Sequence, residues 1–375
     1  MELPKKLKLK LKTRLDSNSL RTLELNENGI DFYSNDYLGL AYSTKLLNET
    51  HRFISESKHP KNGSTGSRLI SGNHSVHTEL ESYLATVHNS ESALVYNSGY
   101  DANIGFFSCV PQRHDSIFYD ELIHASIRDG IRLSNANSFS FKHNDFENLA
   151  KKLSQLENVD TIYIVTESVF SMDGDTPNLT QLIKLSKQYK CKLIIDEAHA
   201  IGVFGLGITQ TLKIESDFFA RIVTFGKGLG CHGAAVLCHS DLKNYLVNFS
   251  RSFIYTTALS AHSITTIKFA YQYLISTPLL TDSLQQNITY FKDTCKALTI
   301  SHLFTKSNSA IQSCIIKDNV KSVANKIIAE GFNVKAILYP TVPVNKERIR
   351  FCLHNYNTKE EIKTLLTFLN TILIK

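Results

Sequence analysis

The feature that most constrains this chain is a series of six short segments, apolar at nearly every position, at residues 93–96, 117–119, 162–165, 193–195, 222–225 and 234–237. A strand with one face in water alternates apolar and polar residues, so uninterrupted runs of this length suit strands covered on both faces. Between them lie stretches with helical period. In residues 179–188, Leu182, Ile183 and Leu185 recur on one side, and Asn178 stands where an N-cap belongs. Strand alternating with helix over about 150 residues predicts an α/β fold with a mainly parallel, doubly wound central sheet. After Ser260 the pattern changes to a helical stretch reaching about residue 277 and another over 283–298. Two weaker strands, 310–316 and 348–353, then flank a helix over 320–330. That order predicts a smaller α+β C-terminal domain. The expected division is an N-terminal arm over 1–45, a large domain over 46–270 and a small domain over 271–375.

A chain of 375 residues with 42% apolar composition can fill such cores, which excludes small disulfide modules and disordered chains. The formal charge of +6 is concentrated at the start, where Lys5, Lys6, Lys8, Lys10, Lys12 and Arg14 fall within fourteen residues. Leu3, Leu7, Leu11 and Leu15 are spaced four apart among them and predict a helix with its apolar face packed on the body. Attachment to a membrane surface or to nucleic acid is the alternative for so basic a segment, but the near-neutral remainder predicts neither partner. No run approaches the roughly 18 apolar residues of a membrane span, and leucine and lysine alternate where a secretory leader needs an unbroken apolar core. Seven scattered cysteines without a Cys-x-x-Cys pair read as reduced, cytoplasmic usage with no metal site, and Cys231 and Cys238 as core residues of an apolar strand.

In open parallel sheets, ligands bind beyond the carboxyl ends of the strands, so polar residues there are the place to look for chemistry. Residues 193–195 run into Asp196-Glu197-Ala198-His199. Residues 162–165 run into Thr166-Glu167-Ser168, and residues 222–223 into Thr224-Phe225-Gly226-Lys227-Gly228. Lys227 is the sharpest of these. Flanking glycines allow close backbone approach, and a lysine held out of water becomes a nucleophilic amine, although a glycine-rich turn with a solvated lysine would read the same way. The segment is not a P-loop. Asn97-Ser98-Gly99-Tyr100 follows residues 93–96 and opens a helix, an arrangement suited to phosphate. An acid, a lysine and an anion site at neighbouring strand ends together ask for a ligand with a phosphate, a carbonyl and a ring that needs an anionic partner. Pyridoxal phosphate meets all three demands.

Four motifs then carry a resemblance: Asn35-Asp36-Tyr37-Leu38-Gly39-Leu40, Gly63-Ser64-Thr65-Gly66-Ser67-Arg68-Leu69, Asp196-Glu197-Ala198-His199 and Thr224-Phe225-Gly226-Lys227. In order and spacing they are similar to those of the α-oxoamine synthases, a family of fold type I pyridoxal-phosphate transferases. The resemblance runs from about Asp31 to near the C-terminus. Phe170-Ser171-Met172-Asp173-Gly174-Asp175, Ser309-Ala310-Ile311-Gln312 and Pro340-Thr341-Val342-Pro343 narrow it to members that condense L-alanine with a pimeloyl thioester, on CoA or acyl carrier protein, in biotin biosynthesis.

The resemblance implies roles at matching positions. Lys227 holds the cofactor as a Schiff base and removes the Cα proton, Asp196 pairs with the ring nitrogen, and His124 stacks on the ring. His199 and Ser171 contact the ring hydroxyl region. Gly99, Tyr100 and Thr224 bind phosphate, with Thr257 reaching across from a neighbouring subunit, which implies a homodimer. Arg350 clamps the amino-acid carboxylate, Asn35 lies on the substrate side, and Thr341 lies near the acyl group. Two departures stand out: Leu338 and Tyr339 replace an Arg-Pro pair before Pro340, and His354-Asn355-Tyr356-Asn357 replaces Thr-Ala-Ala-His. With that cation gone, the far end of the acyl chain is expected to be read either as a neutral ester or by another basic residue, for which Arg14 and Arg21 are candidates, and the first-helix lysines are candidates for meeting an acidic carrier protein. A relative that joins glycine to acetyl-CoA, or a non-catalytic subunit of the family, is the alternative.

Overall fold

The computed structural model describes residues 2–373 apart from 18, 24–27, 58–59 and 158. Strands β1 to β12 are, in chain order, Ile30–Asp31, Ser92–Tyr96, Ser116–Asp120, Asn137–Phe141, Ile162–Glu167, Lys192–Asp196, Ala220–Thr224, Ala234–Cys238, Ile311–Ile315, Phe332–Asn333, Lys335–Ile337 and Arg348–Cys352. Seven of them form one sheet in the order β2-β8-β7-β6-β5-β3-β4. β8 is antiparallel to both its neighbours, and the other pairings are parallel.

The unbroken apolar runs are explained by two cores, one on each face. Successive residues point to opposite faces, so Val95, Ile164, Leu193, Ile195 and Val223 enter one core while Leu94, Val165, Ile194 and Ile222 enter the other. Helices Ser75–Val87, Phe146–Leu153, Leu179–Gln188 and Ala261–Ser276 cover the first face. Gly99–Cys109, Ala125–Leu133 and Ser240–Phe249 cover the second. The predicted cap at Leu179–Gln188 is present, with Asn178 Oδ1 accepting the Gln181 N–H at 3.1 Å.

In the C-terminal part, β11, β12 and β9 form an antiparallel sheet backed by Val320–Ala329, which in turn packs on Lys359–Leu373. The N-terminal segment is tied to this part: β1 pairs with β10, and Cys352 N–H donates to the Phe32 carbonyl at 2.8 Å. Ala261–Ser276 runs across residues 270 and 271 and packs on Thr44–Ser55 and Ser75–Val87.

Two readings are corrected. The N-terminal helix forms over Lys5–Asp16 but buries no residue, and Leu7, Leu11 and Leu15 stand 46%, 52% and 63% exposed. Lysines lie on every side of the leucine stripe, so docking it would desolvate charge along with the leucines. Of the pair Cys231 and Cys238, the first sits in the turn after β7 and the second lies in β8. All seven cysteines are free.

Candidate active site

The carboxyl ends of β2, β3, β5, β6 and β7 surround a cavity of about 200 Å³, whose walls include Gly99, His124, Glu167, Asp196, Thr224 and Lys227. Chain reversal at a parallel strand end leaves the following backbone free to turn toward the ligand, so each of these residues lies in its strand's last position or shortly after it.

Asp196 ends β6. Its Oδ1 accepts the Ala198 N–H at 2.9 Å and its Oδ2 accepts from Asn103 Nδ2, also at 2.9 Å. Asn103 projects from the interior of Gly99–Cys109 and gives its second proton to Ser126 Oγ at 3.0 Å. The carboxylate is therefore fixed in rotation and aimed into the cavity. Glu197, one residue on, points away and meets Thr209. His124 caps Ala125–Leu133: its Nδ1 accepts the Ser126 N–H at 3.2 Å, which leaves the ring proton on Nε2. Its own backbone N–H donates to Glu167 Oε1.

Lys227 Nζ lies 2.7 Å from His199 Nε2. Loss of hydration lowers the lysine to about 8 against the opposing charge of Asp196, and burial holds His199 neutral. Beyond the imidazole, His199 Nδ1 is 2.7 Å from the Tyr37 hydroxyl. Tyr37 is fully buried and kept protonated by that burial. Its oxygen lies 3.2 Å from Asn35 Oδ1 and 3.4 Å from Arg350 Nη2, and Arg350 Nη2 donates to Asn35 Oδ1 at 2.8 Å. A continuous polar run thus joins Arg350 on β12 to Lys227 at the end of the central sheet. Arg350 Nε is buried without a hydrogen-bond partner among the described residues, a donor left for a ligand.

The opposite wall suits an anion. Ser98 Oγ accepts the Asp101 N–H at 3.0 Å and starts Gly99–Cys109, whose free N–H groups open on the cavity. A side chain at Gly99 would put its Cβ 2.6 Å from Thr224 Cγ2, so glycine keeps this cradle open. Thr224 Oγ1 is buried with no hydrogen-bond partner among the described residues. An orphaned hydroxyl beside free helix amides, with a fixed carboxylate and an amine on the other walls, fits pyridoxal phosphate.

A family profile described as aminotransferase class I and II matches residues 27–369. The chain belongs to this family. It is a pyridoxal-phosphate-dependent acyltransferase of fold type I. Among its relatives, the 8-amino-7-oxononanoate synthase of Emericella nidulans is 39% identical over 96% of this chain and 93% of that one. The crystal structure of the 8-amino-7-oxononanoate synthase from Francisella tularensis aligns over 93% of this chain and 99% of its own, with a TM-score of 0.78 and 29% identity. Serine palmitoyltransferase of Sphingomonas wittichii shares the fold with a TM-score of 0.89 over 99% and 98% of the two chains, at 23% identity.

Of the residues singled out in the sequence, Lys227, His124, Asp196, His199, Gly99, Tyr100 and Thr224 line this family member's cavity, and Asn35 and Arg350 join it through Tyr37. The Tyr100 hydroxyl donates to Asp129 at 2.7 Å. Ser171 is not on the cavity wall. Thr257 is exposed, and only its carbonyl is engaged, by Asn97 Nδ2 at 2.7 Å. Thr341 lines a separate groove of about 370 Å³ with Arg14, Arg21 and Leu338, where Arg21 Nη2 donates to its hydroxyl at 3.5 Å.

Three contributors were not assigned from sequence. Tyr37 lies inside the motif of residues 35–40, which implied no role for it. Asn103 is a buried polar residue one turn into Gly99–Cys109, beside the apolar Ala102, Phe106 and Phe107, and the sequence held no signal that set it apart from Asp101 or Ser108. Glu167, at the end of β5, is buried and raised to about 8 by that burial, with Asp196 adding to the effect.

Proposed function

We propose that this chain condenses L-alanine with a pimeloyl thioester, on CoA or acyl carrier protein, releasing the carrier and carbon dioxide to leave 8-amino-7-oxononanoate, a step of biotin biosynthesis. The observation that carries the reading is the run Arg350–Tyr37–His199–Lys227, which sets a carboxylate-binding fork and a poorly hydrated amine at the two ends of one hydrogen-bonded path. The names and coverage of the relatives support the choice of substrates.

When bound, pyridoxal phosphate supplies an electron-accepting ring that stabilises negative charge at the amino acid's Cα. The chain's own residues do the rest. Gly99, Tyr100 and Thr224 would hold the phosphate. Asp196, locked by Asn103 and the Ala198 N–H, would serve the ring nitrogen as a fixed anion, and His124 would stack on the ring. His199, on the cavity wall, would serve the ring hydroxyl, whereas Ser171 lies off that wall and is given no contact there. Lys227 would hold the cofactor and move the proton at Cα. With a pKa near 8 it is poised to accept and return a proton close to neutral pH. Arg350, steadied by Asn35, orients the carboxylate that later leaves as carbon dioxide. Thr341 borders the acyl group, and Arg21, which contacts it, stands in for the cation missing at Leu338.

Thr257 is exposed in the single chain, so its use at the phosphate requires a second copy, and we assign a homodimer working in the cytoplasm. The test is a panel of L-alanine, glycine and L-serine against pimeloyl and acetyl thioesters, following thiol and carbon dioxide. L-alanine with pimeloyl thioester releases both in equal amounts, at least about tenfold faster than the other pairs. No release from that pair would overturn the substrate assignment and leave the family intact.

A further inference from the structure

The segment from Ser168 to Asp175, which supplies no wall of the cavity beyond β5, is held unusually firmly at both ends. At its start, Ser168 N–H donates to the carbonyl of Asp196 at 2.9 Å. At its end, the Asp175 carboxylate is bound by His143 Nε2 at 2.8 Å and by Asn144 Nδ2 at 2.7 Å, while His143 Nδ1 is bound to the buried Asp120 at 2.9 Å. Flanked by two carboxylates, His143 is raised to about 10 and stays charged. These contacts belong to the central sheet.

The tip of the same segment is bound by the C-terminal sheet. Arg348, buried on β12, pairs with the Asp173 carboxylate and donates to the Met172 carbonyl at 3.3 Å. Hydroxyls of Ser313 and Thr305 donate to the Met172 and Asp173 carbonyls, and those of Ser307 and Ser309 to the Gly174 carbonyl at 2.8 and 2.9 Å. Gly174 has φ of +74°, and a Cβ there would lie 2.2 Å from the Ile311 carbonyl oxygen, so the tip is pressed against β9. Every carbonyl from 172 to 174 is therefore satisfied by the C-terminal part, from β9, β12 and the segment that leads into β9. Arg348 is two residues from Arg350 on β12, so the two side chains leave the strand on one face.

We propose that residues 168–175 form a strap that sets the position of Arg350 relative to Asp196 and Lys227, with Arg348, Asp173, His143 and Asp175 as positioning residues for the amino-acid carboxylate. The strap starts on the main chain of Asp196 and carries at its tip the contact to the strand that holds Arg350, so strand β12 cannot shift without breaking the Arg348–Asp173 pair. This inference rests on the carboxylate role given to Arg350 above.

The test uses the cofactor-loaded enzyme and two probes, L-alanine and L-alaninamide, which lacks the carboxylate, each titrated by the change in visible absorbance without any acyl donor. Asp173→Asn should weaken L-alanine binding by about tenfold, the size of one lost charge-assisted contact. It should leave L-alaninamide unchanged, and Asp173→Glu should recover part of the loss. Ser313→Ala, a milder change that removes one contact to the tip, should shift the same ratio in the same direction even if Asp173→Asn folds poorly. Equal weakening of both probes, or none of L-alanine, would overturn the strap's positioning role. Wild-type enzyme binding L-alaninamide as tightly as L-alanine would instead remove the role of Arg350. Glycine and glycinamide used in the same way separate either result from a wrong choice of amino acid.

Discussion

Replacing Thr224 by valine should act with opposite sign on the apoenzyme and on the cofactor complex. Thr224 is the last residue of β7, 8% exposed, and its Oγ1 has no partner among the described residues. Valine keeps the β-branched shape and the methyl group that faces Gly99, and exchanges only the hydroxyl. A buried hydroxyl without a partner costs about 1–3 kcal/mol, so its removal should leave the apoenzyme as stable as the wild type or about 1 kcal/mol more stable. If the same hydroxyl binds the cofactor phosphate, a hydrogen bond to a charged group worth about 1.5–3 kcal/mol is lost on loading, and cofactor affinity should fall by about 10- to 150-fold. Melting curves of the apoenzyme, together with absorbance titration by pyridoxal phosphate, read both effects. Wild-type cofactor affinity in Thr224→Val would refute the phosphate role. An apoenzyme destabilised by more than about 1 kcal/mol would show that the hydroxyl has a partner within the protein.

Two further outcomes follow from the site and from the N-terminus. Burial raises Glu167 from its ordinary value to about 8, so the folded apoenzyme holds a proton there that the unfolded chain releases. Its contribution to stability is complete below about pH 4.5 and is lost as pH rises toward 8, with a limiting slope of about 1.4 kcal/mol per pH unit. Glu167→Gln should flatten the apoenzyme's stability over that window, and an unchanged slope in urea titrations at pH 5, 6, 7 and 8 would contradict it. Leu11→Ser, on a helix that buries nothing, should change stability by less than about 0.5 kcal/mol in thermal melts, and a larger loss would show that the leucine stripe has a packing partner.

The central sheet was legible because covering both faces demands apolar residues at consecutive positions, and few other arrangements do. The edge strand Asn137–Phe141 escaped notice because four of its five residues are exposed, so the sequence Asn-Ser-Phe-Ser-Phe carries no such demand. The reversed direction of β8 left a signal in chain length. Only residues 225–233 separate it from β7, fewer than the dozen or more that a parallel crossover needs. In the site, residues at strand ends were found because topology places ligands there. Tyr37 and Asn103 were not, because each acts through a partner far away in sequence. Tyr37 bridges to Arg350 and His199, and Asn103 to Asp196. Periodicity likewise foresaw the N-terminal helix but not its surroundings, since an apolar stripe shows what a helix offers and not whether anything covers it.

Every role proposed for the site depends on Lys227 as the residue that carries the cofactor. Borohydride reduction of the purified holoenzyme, followed by peptide mapping, tests this directly: the pyridoxyl group should be found on Lys227, and Lys227→Ala should lose both the adduct and the visible absorbance of the bound cofactor. A reduced adduct on another lysine, or absorbance that survives in Lys227→Ala with a reducible lysine linkage, would contradict it.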